Sequence, residues 1–177
     1  MDSPITLRES AVLIPVFRNA AGEATLVLVR RGAHGVHGGQ LAFPGGKRDP
    51  TDASLLATAL RETQEEVGLP ATAIEVLAAL PPVQTRSSGF HIAPFLGRIT
   101  PPSTWRFSQS EIAEVLEVPL HHFTDPANDG QELWHFPDQL APELISFWRV
   151  GPYHLWGASY RMLLPLLPRL LAGEWEL

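Results

Sequence analysis

The sequence predicts one mixed α/β domain spanning residues 1–177, and three observations carry that reading. The chain has 177 residues, 45% of them apolar and 18% charged, which is enough for a sizeable core within the size range of one domain. Fourteen glycines and 17 prolines cut it into many short elements. Several β-rich runs are interspersed with two stretches of helical periodicity, the pattern of a mixed sheet with helices packed on it.

The first elements are Ala11–Phe17 and Ala24–Arg30, two β-rich runs separated by the turn-like segment Asn19–Glu23. They read as a hairpin, with Pro15 pushing its strand towards a sheet edge. A stretch rich in Gly and His follows, 32–46, and ends in Phe43-Pro44-Gly45-Gly46. Thr51 or Asp52 can cap a helix from Ala53 to about Val67, which Gly68 stops. Ile74–Leu80 and His91–Ile99 read as strands around the turn at Ser87-Ser88-Gly89. Pro101-Pro102 breaks the chain, and Ala113–Leu120 and Leu144–Val150 are further strands. Ala158–Ala172 has helical leucine spacing, with Pro165 and Pro168 expected to kink or end it. There is no internal repeat, linker or low-complexity block.

Composition excludes several function classes. Thirteen Lys and Arg against 19 Asp and Glu leave a net charge of −6, a poor balance for nucleic-acid binding, which needs a basic face. The absence of cysteine excludes disulfide scaffolds, zinc fingers, iron–sulfur clusters and cysteine nucleophiles. The longest apolar runs are about seven residues, against the roughly 18 of a membrane span. The start of the chain carries acids and no long apolar stretch. The expectation is a soluble, cytoplasmic protein with neither nucleic acid nor membrane as partner.

The chemistry concentrates in Arg61–Leu69. At about 100° per residue, Glu62, Glu65 and Glu66 fall within an arc of roughly 100° on the 53–67 helix. Leu56, Leu60 and Val67 cluster on the other side and are expected to meet the sheet. Three acids at this spacing repel one another unless a cation compensates. Hard oxygen ligands on one face suit Mg²⁺ or Mn²⁺, ions that serve phosphate chemistry. Arg61, four residues before Glu65, can hold that carboxylate in place. The competing reading is a solvated acidic face.

The stretch from Gly46 to Leu69 resembles the Nudix box, G-x5-E-x7-R-E-U-x-E-E-x-G-U, with U aliphatic. Arg61, Glu62, Glu65, Glu66, Gly68 and Leu69 fall on the motif. Asp52 stands where the motif has Glu, eight residues separate it from Arg61 instead of seven, and Thr63 occupies an aliphatic position. Upstream, Leu26, Arg30, Gly39, Phe43, Pro44, Gly45 and Gly46 resemble the signature that precedes the box in coenzyme A pyrophosphatases of that family. Val27, Leu28, Arg31 and Gly35 depart from it, the last standing where the signature has Arg. Residues 89–94, 111–120 and 155–158 are also similar to that subfamily, so the likeness covers most of the chain.

The resemblance implies a Nudix-type α/β/α sandwich with a mixed β-sheet between helices. It implies hydrolysis of a diphosphate bond in a nucleoside diphosphate linked to another group, with CoA or acyl-CoA leading. The products would be adenosine 3′,5′-bisphosphate and 4′-phosphopantetheine or its acyl form. ADP-ribose, NADH or a dinucleoside polyphosphate is the alternative substrate, and a non-catalytic nucleotide-binding module the alternative class. The implied metal ligands are Glu62, Glu65 and Glu66, with Mg²⁺ or Mn²⁺ as cofactor. The implied base is a carboxylate of the box itself or of a loop, and the loop acid corresponds to Glu111 or, second, Glu114. The cations around the box, Arg30, Arg31, Lys47, Arg48 and Arg86, with the Gly45-Gly46 turn, are candidates for holding the anionic substrate. A homodimer is the possible assembly. His34 and His37, three residues apart, lack a third ligand, and Trp134, Trp148 and Trp156 are as consistent with core as with base stacking.

Overall fold

The structure is a computed structural model, and it describes residues 8–34, 38–85, 89–136 and 139–177. Of the sequence candidates, Gly35, His37, Arg86, Ser87 and Ser88 lie outside the described residues. Strands β1 (Arg8–Arg18) and β2 (Ala24–Arg31) form the expected hairpin, with Val16 opposite Leu26. Two short strands follow, β3 (Leu41–Ala42) beside β2 and β4 (Gly45–Lys47) beside β1. Next come helix α1 (Leu55–Val67), β5 (Ile74–Ala79), β6 (Val83–Gln84) and β7 (Phe90–Ile99). β7 runs parallel to β1, whereas β5 and β6 pair with β7 antiparallel. Strand β8 (Ile112–Pro119) pairs with β2 and completes a mixed sheet. A second, antiparallel sheet holds β9 (Asp129–Trp134), β10 (Glu143–Val150) and β11 (Tyr153–Trp156), and helix α2 (Gly157–Leu171) ends the fold.

The continuous apolar runs of β1 and β2 have a direct cause: both faces of the main sheet are covered. Leu13, Val27 and Val29 pack with Val67 and Leu69 on the α1 side. Ile14, Leu26 and Leu28 pack with Leu163, Leu166 and Leu170 on the α2 side.

Four expectations need correction. Pro15 does not mark an edge, because β1 is central. β4 pairs with Ser10–Val12 and β2 with Val16–Arg18, so Pro15 falls in the gap where no antiparallel ladder bond is asked of it. The helix cap is Ser54, whose Oγ accepts from the Ala57 N–H at 3.1 Å, because Asp52 is engaged elsewhere. The face of α1 against the sheet is Ala59, Thr63, Glu66 and Val67, all buried, while Leu56 and Leu60 are half-buried flanks. Small side chains let the helix approach the glycine strand β4, and the Thr63 hydroxyl bonds the Ala59 carbonyl at 2.7 Å, so Thr fills an apolar position without an unsatisfied donor.

Helix α2 runs through both of its prolines. Each costs about 3 kcal/mol in a helix interior. Against that stand buried Met162, Leu163, Leu166, Leu167 and Leu170, each contributing about 1.5–3 kcal/mol. Pro165 and Pro168 lie on the exposed face, where water can satisfy the carbonyls they leave free.

Candidate active site

The site is built on the junction of β4 and α1. Gly68 ends the helix at φ 70°, with its N–H on the Gln64 carbonyl at 3.0 Å. A Cβ there would stand 2.5 Å from the Arg106 carbonyl oxygen, so glycine is required on both counts. From the last turn of this helix Glu66 points into the protein and is only 3% exposed. Its Oε2 accepts the Gly45 N–H at 2.9 Å. No donor among the described residues reaches its other oxygen. Burial pushes the Glu66 carboxyl up to about 7, with the nearby charges of Glu62 and Glu111 adding to the rise; the Gly45 bond and Arg31 oppose it.

Glu62 lies one turn earlier, over the second glycine. A Cβ on Gly46 would stand 2.4 Å from the Glu62 Cδ, so the close approach of strand and carboxylate depends on a missing side chain. Burial raises the Glu62 carboxyl too; the Arg61 hydrogen bond opposes this, and Glu65 and Glu111 add to it.

Arg61 organises the cluster. Its Nε and Nη2 bond the two oxygens of Asp52, each at 2.9 Å. Nη1 reaches Glu62 at 2.9 Å and Glu65 at 3.1 Å, and Nη2 also bonds the Lys47 carbonyl at 3.1 Å. Asp52 is buried and accepts further from the Asp49 N–H at 2.9 Å and the Thr58 hydroxyl at 2.8 Å. The Arg61 guanidinium, ahead of these two bonds, holds the Asp52 carboxyl well below the usual carboxylate range. In turn Asp52 keeps the guanidinium firmly protonated. The sequence left the role of Asp52 open because of the extra residue before Arg61. The turn closed by the Asp52 N–H on the Asp49 carbonyl, at 2.9 Å, absorbs that residue and delivers the carboxylate to Arg61.

The remaining candidates divide. Glu111 is exposed at the start of β8, and its charge is felt by both Glu62 and Glu66. Its loop is tied to the helix by the Ser108 N–H on the Glu66 carbonyl at 2.9 Å, and to β2 by the Gly32 N–H on the Glu111 carbonyl at 2.7 Å. Glu114 is engaged differently, with Arg30 Nε at 3.3 Å and the Tyr153 hydroxyl at 3.1 Å. The Arg30 guanidinium lies 5.0 Å from the Tyr153 ring centre, so Arg30 and Glu114 form a unit with β11. Arg31, the next residue on β2, acts electrostatically on Glu66. Arg48 pairs with Glu9 at 2.7 Å. Trp148 is core, packed on Phe123, whereas Trp134 and Trp156 meet edge to face at 4.9 Å on the small sheet.

The donor chemistry fits a hard divalent cation: two partly desolvated carboxylates with raised proton affinity flank a glycine turn, and each has an oxygen without a protein donor. Glu65 is 55% exposed with its Oε2 on Arg61, so to join as a third ligand it would have to turn its free oxygen towards the other two. Among the described residues no three carboxylate or imidazole side chains already converge as an ion site. Beside the turn runs a groove of about 540 Å³. Its lining combines Arg31, Gly45, Gly46 and Lys47 with the apolar side chains of Phe43, Phe90, Phe136, Leu144, Trp156 and Met162. No helix among the described residues is long and apolar enough to cross a membrane.

Comparison with known proteins adds to this geometry. Residues 7–146 match the NUDIX domain family. The Nudix hydrolase NudL of Salmonella paratyphi B is 50% identical over 114 residues, which is 64% of this chain and 58% of the relative. The chain therefore matches little more than half the length of that relative. Among solved structures, a Nudix hydrolase from M. smegmatis, RenU, superposes with a TM-score of 0.64 at 19% identity, covering 97% of this chain and 89% of that one. The NUDIX domain of Shewanella oneidensis NrtR, solved with ADP-ribose, superposes with a TM-score of 0.52 at 18% identity, covering 70% of this chain and 81% of that one. At these identities the two structures bear on the fold alone.

Proposed function

Since the chain belongs to the Nudix family, we propose that it hydrolyses a diphosphate bond in a nucleoside diphosphate linked to a second group, with CoA or acyl-CoA as substrate and Mg²⁺ or Mn²⁺ as cofactor. The observation that carries the hydrolase reading is Glu66. Its carboxylate is 3% exposed, bonded to the Gly45 N–H and beside Glu62. Burying an acid that gains only one backbone bond costs stability, and a fold keeps such a group where its charge has work to do. The groove supports the CoA reading, because its lining combines the charged turn with several apolar side chains, which suits a diphosphate that carries a pantetheine arm.

Glu62 and Glu66, joined by Glu65, would hold the cation. The chemistry such a cation would supply there is charge neutralisation on phosphate oxygens and a lowered pKa for bound water. The protein's own residues do the rest. Asp52 and Arg61 fix the orientation of Glu62, and Arg31 and Lys47 draw the anionic diphosphate to the Gly45-Gly46 turn. Glu111 takes the proton of the attacking water as its oxygen bonds phosphorus and the bridging oxygen leaves with the other phosphate. Arg30 and Arg48 are assigned outer contacts with the substrate, and Arg86 stays a substrate-binding candidate from its place in the sequence. A cytoplasmic location and a homodimer complete the proposal.

The substrate is tested by competition at fixed metal among CoA, ADP-ribose, NADH and diadenosine tetraphosphate. Release of 4′-phosphopantetheine ahead of the other products is expected. Cleavage of another member with CoA intact would remove the CoA assignment.

A further inference from the structure

We propose a separate anion subsite, for a phosphate monoester on the nucleoside arm of the substrate, in the basin where Arg8 and Lys47 flank the ring of Phe90. It rests on the reading above that a diphosphate occupies the Gly45-Gly46 turn. Three neighbouring strands build the basin, whose volume is about 490 Å³. Arg8 begins β1 and is the register partner of Phe90 on β7; Lys47 ends β4, opposite Ser10 of β1. The Arg8 Cζ lies 5.9 Å and the Lys47 Nζ 5.6 Å from the centre of the Phe90 ring.

The charge of the basin is not cancelled from within. Its two carboxylates are engaged: Glu9 with Arg48 at 2.7 Å, and Asp49 with the backbone N–H and hydroxyl of Thr51 at 2.8 and 2.6 Å. Among the described residues neither Arg8 nor Lys47 has an ion-pair partner. In a chain of net charge −6 whose single lysine is Lys47, two uncompensated cations around one aromatic ring are a local reversal of the overall field.

Position gives the basin its ligand. Lys47 follows Gly46 directly, its carbonyl accepts from Arg61, and both Lys47 and Phe90 also line the groove. Groove and basin thus adjoin at Lys47 and Phe90, next to the glycine turn. A diphosphate at the turn sends one arm along the groove and the other over Lys47 to the basin. A phosphate monoester carries about −1.5 to −2 charge at neutral pH, which suits two cations, and Phe90 offers its face to a base or ribose.

The test titrates the full chain with adenosine 3′,5′-bisphosphate and adenosine 5′-monophosphate by calorimetry, using wild type, Arg8→Met and Arg8→Lys. Wild type is expected to prefer the bisphosphate. Arg8→Met should lower its affinity about three- to tenfold, as for one exposed charge-assisted contact, without changing the monophosphate; Arg8→Lys should retain most of the preference. Raising the salt should shrink it. Equal wild-type affinity for the two nucleotides, or equal losses for both in Arg8→Met, would overturn the subsite. An Arg8-dependent bisphosphate preference in a protein that cleaves no nucleoside diphosphate supports the subsite and refutes the hydrolase reading instead.

Discussion

Replacing Glu66 by Gln should destroy turnover and, in metal-free protein, raise stability, with a pH dependence fixed in advance. The side chain keeps its shape, and the Gln carbonyl can still accept the Gly45 N–H. What disappears is a buried charge. The Glu66 carboxyl is raised from 4.5 to about 7 in the fold. A raised acid leaves stability intact below the unfolded value and costs stability as pH climbs through the folded one. Between pH 5 and pH 8 wild type should therefore lose an amount the variant does not, on the order of 3 kcal/mol when the shift is complete. For a chain of this size that is roughly 6–12 °C in melting temperature. The assay is thermal unfolding of both proteins with chelator at several pH values, and the readout is how their difference changes with pH, which cancels any fixed packing effect of Gln. A difference that stays constant across this range, or widens in favour of wild type at high pH, would refute a desolvated Glu66.

Three other expectations follow from the same geometry. Gly46→Ala must move the Glu62 carboxylate by about 1 Å to relieve a 2.4 Å contact, and turnover should fall roughly 10²-fold with the fold preserved; unchanged kcat would separate Glu62 from the chemistry. Asp52→Asn should destabilise the protein by an amount constant from pH 7 to 5 that begins to shrink near pH 3.8, the unfolded value, and is lost only as pH falls on through the depressed folded value; a gap that does not narrow at all between pH 4 and pH 2 in melting experiments would contradict the Arg61 pairing. Glu111→Gln should lower kcat by roughly 10²-fold or more and flatten its pH profile, whereas Glu114→Gln, beside Arg30 and Tyr153, should change KM or stability and leave that profile in place. The opposite assignment of the two profiles would exchange their roles.

Local signals carried much of this fold into view. The β1–β2 hairpin, α1, β5, β7, β8 and β10 were legible because each combines a long apolar or periodic run with turn residues at its ends. β9 was not, since its sequence, DGQELW, is mostly polar and its strand conformation comes from pairing with β10. The burial of Glu66 was equally hidden. Periodicity assigned it to the acidic, outward arc, and only the approach of β4, permitted by Gly45 and Gly46, turns that arc into a wall of the interior. Asp52 could be found by its type, an acid shortly before the helix, but its reach to Arg61 depends on a turn whose geometry the spacing concealed. The Arg8–Lys47–Phe90 basin had no sequence signal at all, because its members lie 39 and 43 residues apart in the chain and are joined by strand register.

The most direct test of the account is mass-spectrometric product analysis of the CoA panel, with Mg²⁺ or Mn²⁺ against chelator, for wild type beside Glu66→Gln. Metal-dependent cleavage of a diphosphate bond that falls by roughly 10²-fold or more in the variant is the expected result. Turnover that survives Glu66→Gln, or that proceeds equally in chelator, would contradict it.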